Sequence, residues 1–470
     1  MVRQVGILAL AGILGVAVVG AAGEVEVGFG KADLTPDLNR HTAWLAGYGN
    51  NRKAAGVHDS LWARAVVIRD GDQRIALVSV DLVGVQRHTV LEVRRRLANF
   101  AHVLISSTHN HEGPDVIGLW GPSPRESGVD PTYLTFVVEK VVEAVNQADT
   151  AATPARAAYG TADGGDLLKD TRLPIVKDPL LRVVRFTKVS DGKPLGLLVQ
   201  WGNHPESLGS RNTLITADFP NYTVKDLEAK HGVPVAYFTG AVGGLMTNPS
   251  EFPRPDGTIA RDGTFEFAEA YGEATARVVD QALERLEPVA LAPLVVSTGP
   301  VRVPLANPGY RQGRAIGVLP REAFAWLGDP EKLGERLPDR QIEGDIALET
   351  EVTYLRLGEL HVAGIPGELY PELVYGEYQN PVEPNVDYPD APLEPSVMDS
   401  LPGKAKLLFG LANDEVGYII PKRQWDDVAP FAYGRQTKQY GEVNSVGPDV
   451  APILMNALRE RVRRVAGTAP

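Results

Sequence analysis

Leu104-Ile105-Ser106-Ser107-Thr108-His109-Asn110-His111-Glu112-Gly113-Pro114 runs from a short apolar segment into two histidines and then into a chain-reversing Gly-Pro pair. The first part, residues 102–106, reads as a buried strand, and the rest as a loop which that strand delivers. Residues two apart in extended chain project to the same side, so His109 and His111 can face one site. Loops held on a rigid scaffold are where binding and catalytic groups concentrate.

The same alternation extends outward from this segment. Residues 61–69 and 74–82 form two strands around Asp70-Gly71-Asp72, and residues 87–100 have helical periodicity. Asp130-Pro131 supplies an N-cap and a proline at the first helical position, opening a helix to about residue 147. Further on, strands over 181–189 and 195–201 turn at Ser190-Asp191-Gly192 and deliver Gly202-Asn203-His204-Pro205. A strand over 235–238, a helix over 265–286 and a strand over 291–303 follow. A hairpin-like pair, 351–357 and 360–365, ends at Pro366-Gly367-Glu368. Residues 405–410 lead to Tyr418, and 449–465 close the chain as a helix. Between them, residues 307–345 are rich in Pro, Gly and charge. They read as an active-site loop or lid, with Phe324 and Trp326 as its aromatic cap, or as a surface insertion. Hairpins mixed with helices predict an α/β protein with mixed β-sheets flanked by helices, built as one unit over residues 24–468.

Composition narrows the function. With 59 acidic against 47 basic residues the net charge is -12, which repels nucleic acid and anionic membrane. Arg94-Arg95-Arg96 falls in a helix and reads as a solvated face. No cysteine is present, so disulfides, thiolate metal sites and cysteine nucleophiles are all excluded. No Gly-x-Ser-x-Gly elbow and no phosphate-cradling loop occurs. At the N-terminus, Arg3, an apolar run over 5–19 and Gly20-Ala21-Ala22 read as a secretory signal peptide over residues 1–22. That predicts a secreted or periplasmic protein with no stable membrane span.

His109 with His111, then His204, then Glu368 each follow a strand and sit beside Gly or Pro. A catalytic zinc takes three His or carboxylate ligands and keeps one position open. The same residues also suit a surface histidine pair, a hydrogen-bonded structural His204 and a carboxylate at a helix N-terminus. Residue types and spacing alone leave both readings open.

The order of motifs adds a resemblance. Gly28-Phe29-Gly30-Lys31-Ala32-Asp33-Leu34-Thr35-Pro36, Ala46-Gly47-Tyr48, Gly56-Val57-His58-Asp59 and Val78-Ser79-Val80-Asp81-Leu82 come first. The histidine segment, Asn203-His204-Pro205, Pro366-Gly367-Glu368, Leu411-Ala412-Asn413-Asp414-Glu415-Val416-Gly417-Tyr418, Gln439-Tyr440-Gly441-Glu442 and Gly447-Pro448 follow. In this order the chain resembles the catalytic domain of the neutral/alkaline non-lysosomal ceramidases, zinc amidases that cleave the N-acyl bond of ceramide. The resemblance implies Zn(2+) held by His109, His204, Glu368 and Tyr418. It implies His111 at the reacting carbonyl or leaving group, Arg172 lining the site and Tyr440 nearby.

Three departures stand out. The family's Gly-Asp-Val-Ser-Pro-Asn becomes Gly243-Gly244-Leu245-Met246-Thr247-Asn248, without the Asp and the Ser. Glu112 replaces the family's Ser and becomes a candidate general base. The family's C-terminal immunoglobulin-like domain finds no counterpart in the helix-like closing sequence. The sequence thus predicts an exported zinc-dependent hydrolase of a linear amide in a lipid or other small-molecule substrate. A zinc esterase or lactonase, or a non-catalytic exported binding protein that retains the metal, are the alternatives.

Overall fold

Period-two alternation sorts the strand residues between two apolar layers. Ala63, Ala65 and Val67 join one buried cluster with Val137, Val141 and Val145 of the helix Pro131–Thr150. Val66 and Ile68, between them, join another with Leu355, Leu357 and Val362 of a second sheet. A strand buried on both faces needs a near-continuous apolar run, which is what Trp62–Asp70 carries. The computed structural model that reveals this describes residues 25–244, 246–254 and 256–466.

The larger sheet has nine strands. Its order is Val235–Thr239, Pro194–Trp201, Leu180–Lys188, Thr153–Asp163, Val25–Asp33, Trp62–Asp70, Gln73–Val80, His102–Ser107, and Glu287–Val289 pairs Thr153–Asp163 off this path. Two neighbours are parallel, Gln73–Val80 with His102–Ser107 and Pro194–Trp201 with Val235–Thr239; the other pairings are antiparallel. A five-stranded sheet packs on its inner face, ordered Leu294–Pro304, Ile346–Leu357, Leu360–Gly364, Ala405–Phe409, with Phe324–Ala325 beside Ile346–Leu357. Its last two ordered strands are parallel. Phe238 and Phe409 stack between the sheets with ring centroids 4.3 Å apart. Helices Asp218–His231 and Phe265–Leu283 cover the outer face of the first sheet, and Val450–Ala466 that of the second. The result is a four-layer α/β/β/α arrangement, the mixed-sheet class read from the sequence.

Each parallel pair ends on the same side of the molecule. In open α/β sheets ligands bind beyond the carboxyl ends of parallel strands. The chain leaves those ends at Val83, His109, His204, Gly243 and Glu368, and both sheets therefore contribute to one site. The expected leader over residues 1–22 lies outside the described residues. Among the described residues no helix is long and apolar enough to cross a membrane.

Candidate metal centre and cavity

His109 follows the strand His102–Ser107 and has φ +67, a conformation that costs a non-glycine residue energy and that clusters at functional sites. Its backbone N–H donates to Leu82 O (3.1 Å) and its Nδ1 lies 2.7 Å from Val83 O. A carbonyl only accepts, so Nδ1 carries the proton and Nε2 is left with its lone pair. His204 repeats the device, with Nδ1 2.8 Å from Met246 O. Both Nε2 atoms point at one atom, Glu368 Oε2, at 3.2 Å from His109 and 3.1 Å from His204. Three electron-rich atoms converging in a buried place repel one another unless a cation or proton lies between them. Two ligands about 2.0–2.1 Å from a tetrahedral zinc stand roughly 3.4 Å apart, so this spacing fits the metal.

Burial alone would raise the Glu368 carboxyl, but His109 and His204 overcome it and hold it below the usual carboxylate range. Tyr418 is its register partner across a short parallel ladder, Glu368–Leu369 against Tyr418–Ile419. Burial and the Glu368 charge push the Tyr418 hydroxyl well above its ordinary value. A bound cation would reverse that preference and favour the phenolate.

His111 is drawn into the same cluster. One nitrogen from each of His109, His111 and His204 lies within 4.8 Å of the others. Its ring meets those of His109 and His204 edge-on, at centroid distances of 4.9 and 5.6 Å. Burial, then the two neighbouring imidazoles, lower its pKa well below the ordinary value, which keeps it neutral. Nδ1 of His111 is buried without a hydrogen-bond partner, and Glu206 Oε2 is 3.7 Å from it.

These groups line a cavity of about 660 Å³. Ile117, Leu119, Trp120, Leu319 and Leu348 make its apolar wall, and Glu206, Arg314, Arg321 and Glu415 add ionisable groups. Tyr440 reaches it with its ring 5.7 Å from that of Tyr418. Part of the 307–345 segment does border the cavity, through Tyr310, Arg314, Leu319 and Arg321. Phe324 and Trp326 do not: Phe324 pairs with Ala347, and Trp326 lines a separate groove.

Two expected site residues stand elsewhere. Glu112 does not reach the cavity: its Oε2 accepts from Arg52 Nη2 (2.8 Å) and Asn212 Nδ2 (2.8 Å). Burial raises its carboxyl to about 8 against the opposing pull of Arg52. Arg172 is neither in the cavity wall nor on the surface. It donates to both carboxylate oxygens of Glu442 (2.7 and 3.0 Å) and to Tyr440 O (2.8 Å), so it anchors the loop that carries Tyr440. The helical arginines also divide: Arg95 and Arg96 pair with Glu92 at the surface, whereas Arg94 reaches the buried Glu351.

The altered Gly243-to-Asn248 stretch holds His204 through its backbone. Met246 O accepts from both the N–H of His204 (3.0 Å) and its Nδ1. A carbonyl can be supplied by any residue, so the lost Asp and Ser leave His204 in place. Gly243 is confined for another reason: a Cβ there would come within 2.7 Å of Glu368 O. Motif reading assigned no site role to Glu206 or Glu415, although each lies within three residues of a proposed ligand. Burial drives the Glu415 carboxyl well above its ordinary value and the Glu368 charge pushes it further, which favours the protonated form.

Residues 25–167 match the family described as neutral/alkaline non-lysosomal ceramidase, N-terminal. Neutral ceramidase of Mycobacterium tuberculosis is 26% identical, over 75% of this chain and 66% of that protein. Neutral ceramidase of Pseudomonas aeruginosa is 25% identical, over 55% of this chain and 43% of that one. The match thus spans just under two thirds of one curated relative and less than half of the other. The crystal structure of the Pseudomonas aeruginosa neutral ceramidase superposes with a TM-score of 0.69 at 18% identity, covering 95% of this chain and 75% of that chain. A ceramidase complexed with C2 gives 0.68, also at 18% identity, covering 95% and 76%. Residues 25–167 are thus similar in sequence to the N-terminal part of the neutral/alkaline non-lysosomal ceramidases, and nearly the whole chain shares the fold of the Pseudomonas aeruginosa structure.

Proposed function

We propose that this protein is an exported zinc-dependent hydrolase that cleaves the N-acyl amide bond of ceramide or a related N-acyl lipid. The supporting observation is the convergence of His109 and His204 Nε2 on Glu368 Oε2 at the wall of a partly apolar cavity. His109, His204, Glu368 and Tyr418 would hold the zinc. When bound, zinc supplies Lewis-acid polarisation of the carbonyl and a nucleophile at neutral pH.

The remaining chemistry falls to side chains of the cavity. His111, neutral at its buried position, offers a hydrogen bond to the charge that develops on the carbonyl oxygen. Glu206 takes over the proton-accepting role expected of Glu112, since its carboxylate faces the cavity and lies 3.7 Å from His111. Glu415, whose burial favours the protonated form, offers a hydrogen-bond donor in the same wall. The apolar wall receives the acyl chain.

The test combines metal analysis with turnover of a short-chain fluorescent ceramide and of its matched ester. The expected result is about one zinc per chain, amide cleavage abolished by chelation and restored by zinc, and both metal and activity lost in His109→Ala. Full activity in His109→Ala would sink the mechanism. Cleavage of the ester alone would turn the reading to an esterase, and bound metal without turnover to a binding protein.

A further inference from the structure

Arg314 belongs to the eight-residue helix Pro308–Ala315, which Asn307 caps by accepting from Tyr310 N (3.1 Å). Asn307 is itself tied to Val443 O and Ser445 O, both at 2.8 Å, so the helix is seated firmly on the main body. Arg314 is only 3% exposed and forms part of the cavity wall. Its Nη2 donates to Pro338 O (2.9 Å) and Gln341 O (2.8 Å), which fixes the guanidinium plane. Nε and Nη1 are buried without any hydrogen-bond partner.

The other cavity arginine differs in this respect. Arg321 donates to Asp414 Oδ2 (2.6 Å) and Glu415 O (2.7 Å) and is neutralised on the spot. Among the described residues, no carboxylate makes an ion pair with Arg314. Asp339 acts on it through space, but that side chain is exposed and pairs with Arg336 at 3.1 Å. A buried cation in the wall of a ligand cavity, with two donors left over, is stable only if something supplies the missing acceptor. Guanidinium donors suit carboxylate, sulfonate and phosphate oxygens.

We propose that Arg314 receives an anionic group of the substrate, so that the protein acts on anionic N-acyl compounds in preference to neutral ones. This deepens the amidase reading above and rests on it for the reaction, though not for the binding.

The first measurement uses the zinc-loaded full chain with N-lauroylglycine and N-lauroylethanolamine, which share the chain and the amide and differ in charge. A charge-assisted hydrogen bond predicts kcat/KM about tenfold to a hundredfold higher for the anionic compound. Arg314→Gln should cut that ratio at least tenfold, and Arg314→Lys should retain part of it. N-lauroyltaurine and N-lauroyl phosphoethanolamine then show whether sulfonate or phosphate is taken in place of carboxylate. A wild-type ratio near one, or an unchanged ratio in Arg314→Gln, overturns the proposal and leaves water as the partner of the guanidinium. If neither compound is cleaved, the amidase reading fails, and calorimetric binding decides the inference independently. Tighter binding of the anionic compound that Arg314→Gln removes upholds it, and equal binding overturns it. Should Arg314→Gln not fold, the wild-type ratio and the Arg314→Lys variant still decide between the two outcomes.

Discussion

Glu368 and Tyr418 are Cα partners in a two-residue parallel ladder, so backbone hydrogen bonding alone brings a carboxylate and a phenol to the same edge of the cavity. Each follows a strand of the second sheet, and those strands are themselves parallel neighbours, Leu360–Gly364 and Ala405–Phe409. The ladder uses main-chain groups, so Tyr418→Phe should fold normally. If the hydroxyl is a metal ligand, zinc affinity measured by chelator competition will fall at least about tenfold. Unchanged affinity would remove Tyr418 from the ligand set.

Gly47 supports His111 by having no side chain. Its φ is +89, and a Cβ there would come within 2.3 Å of His111 Cγ. Gly47→Ala should therefore displace the imidazole and cost at least about 1 kcal/mol of stability. We expect kcat to fall at least tenfold with zinc content kept. Loss of zinc together with activity would instead make His111 a ligand alongside His109 and His204.

The Arg172–Glu442 pair is almost wholly buried and bidentate. Removing one partner strands a charge in the interior, so Arg172→Ala should destabilise the fold by about 3–5 kcal/mol in urea unfolding. Replacing both residues, Arg172→Met with Glu442→Leu, should recover most of that loss. A single variant as stable as the wild type would mean that water reaches the site.

His102 gives the protein an acid limb. It is buried beside Arg94, and burial first, then the arginine, lower its pKa from 6.5 to about 3. Below pH 6.5 the unfolded chain takes up a proton that the folded chain refuses. Stability is therefore full above that pH and declines towards pH 3, by at most about 1.4 kcal/mol per pH unit. In His102→Gln, unfolding free energy measured between pH 6.5 and 4.5 should change less with pH than in the wild type. An identical slope would show that other groups carry the acid sensitivity.

Much of the architecture was legible because it is local. The strands Trp62–Asp70 and Gln73–Val80 come within about two residues of their sequence reading, as do the helices Pro131–Thr150, Phe265–Leu283 and Val450–Ala466, apart from fraying at the ends. The helix Asp218–His231 was missed. Its opening Asp218-Phe219-Pro220-Asn221 reads as a turn, and only Gly232, at φ +65 after its last residue, marks the helix end. The strands Val25–Asp33 and Thr153–Asp163 were missed as well, since Gly28, Gly30 and Gly160 interrupt their apolar pattern. Those glycines admit the backbones of neighbouring helices: a Cβ at Gly28 would come within 2.0 Å of Ala148 O.

By itself the sequence determined the strand and helix periods, the absence of thiol chemistry and the order of the motifs, because each is a property of residues close together in the chain. Only the tertiary structure decided which side chains share the site. Two sheets must pack face to face before His109, His204 and Glu368 meet within 3.2 Å. The same packing buries Glu112 against Arg52, turns Arg172 towards Glu442, and exposes Glu206, Arg314 and Glu415 to the cavity instead. Direction and burial depend on contacts between residues far apart in sequence, and no local pattern encodes them.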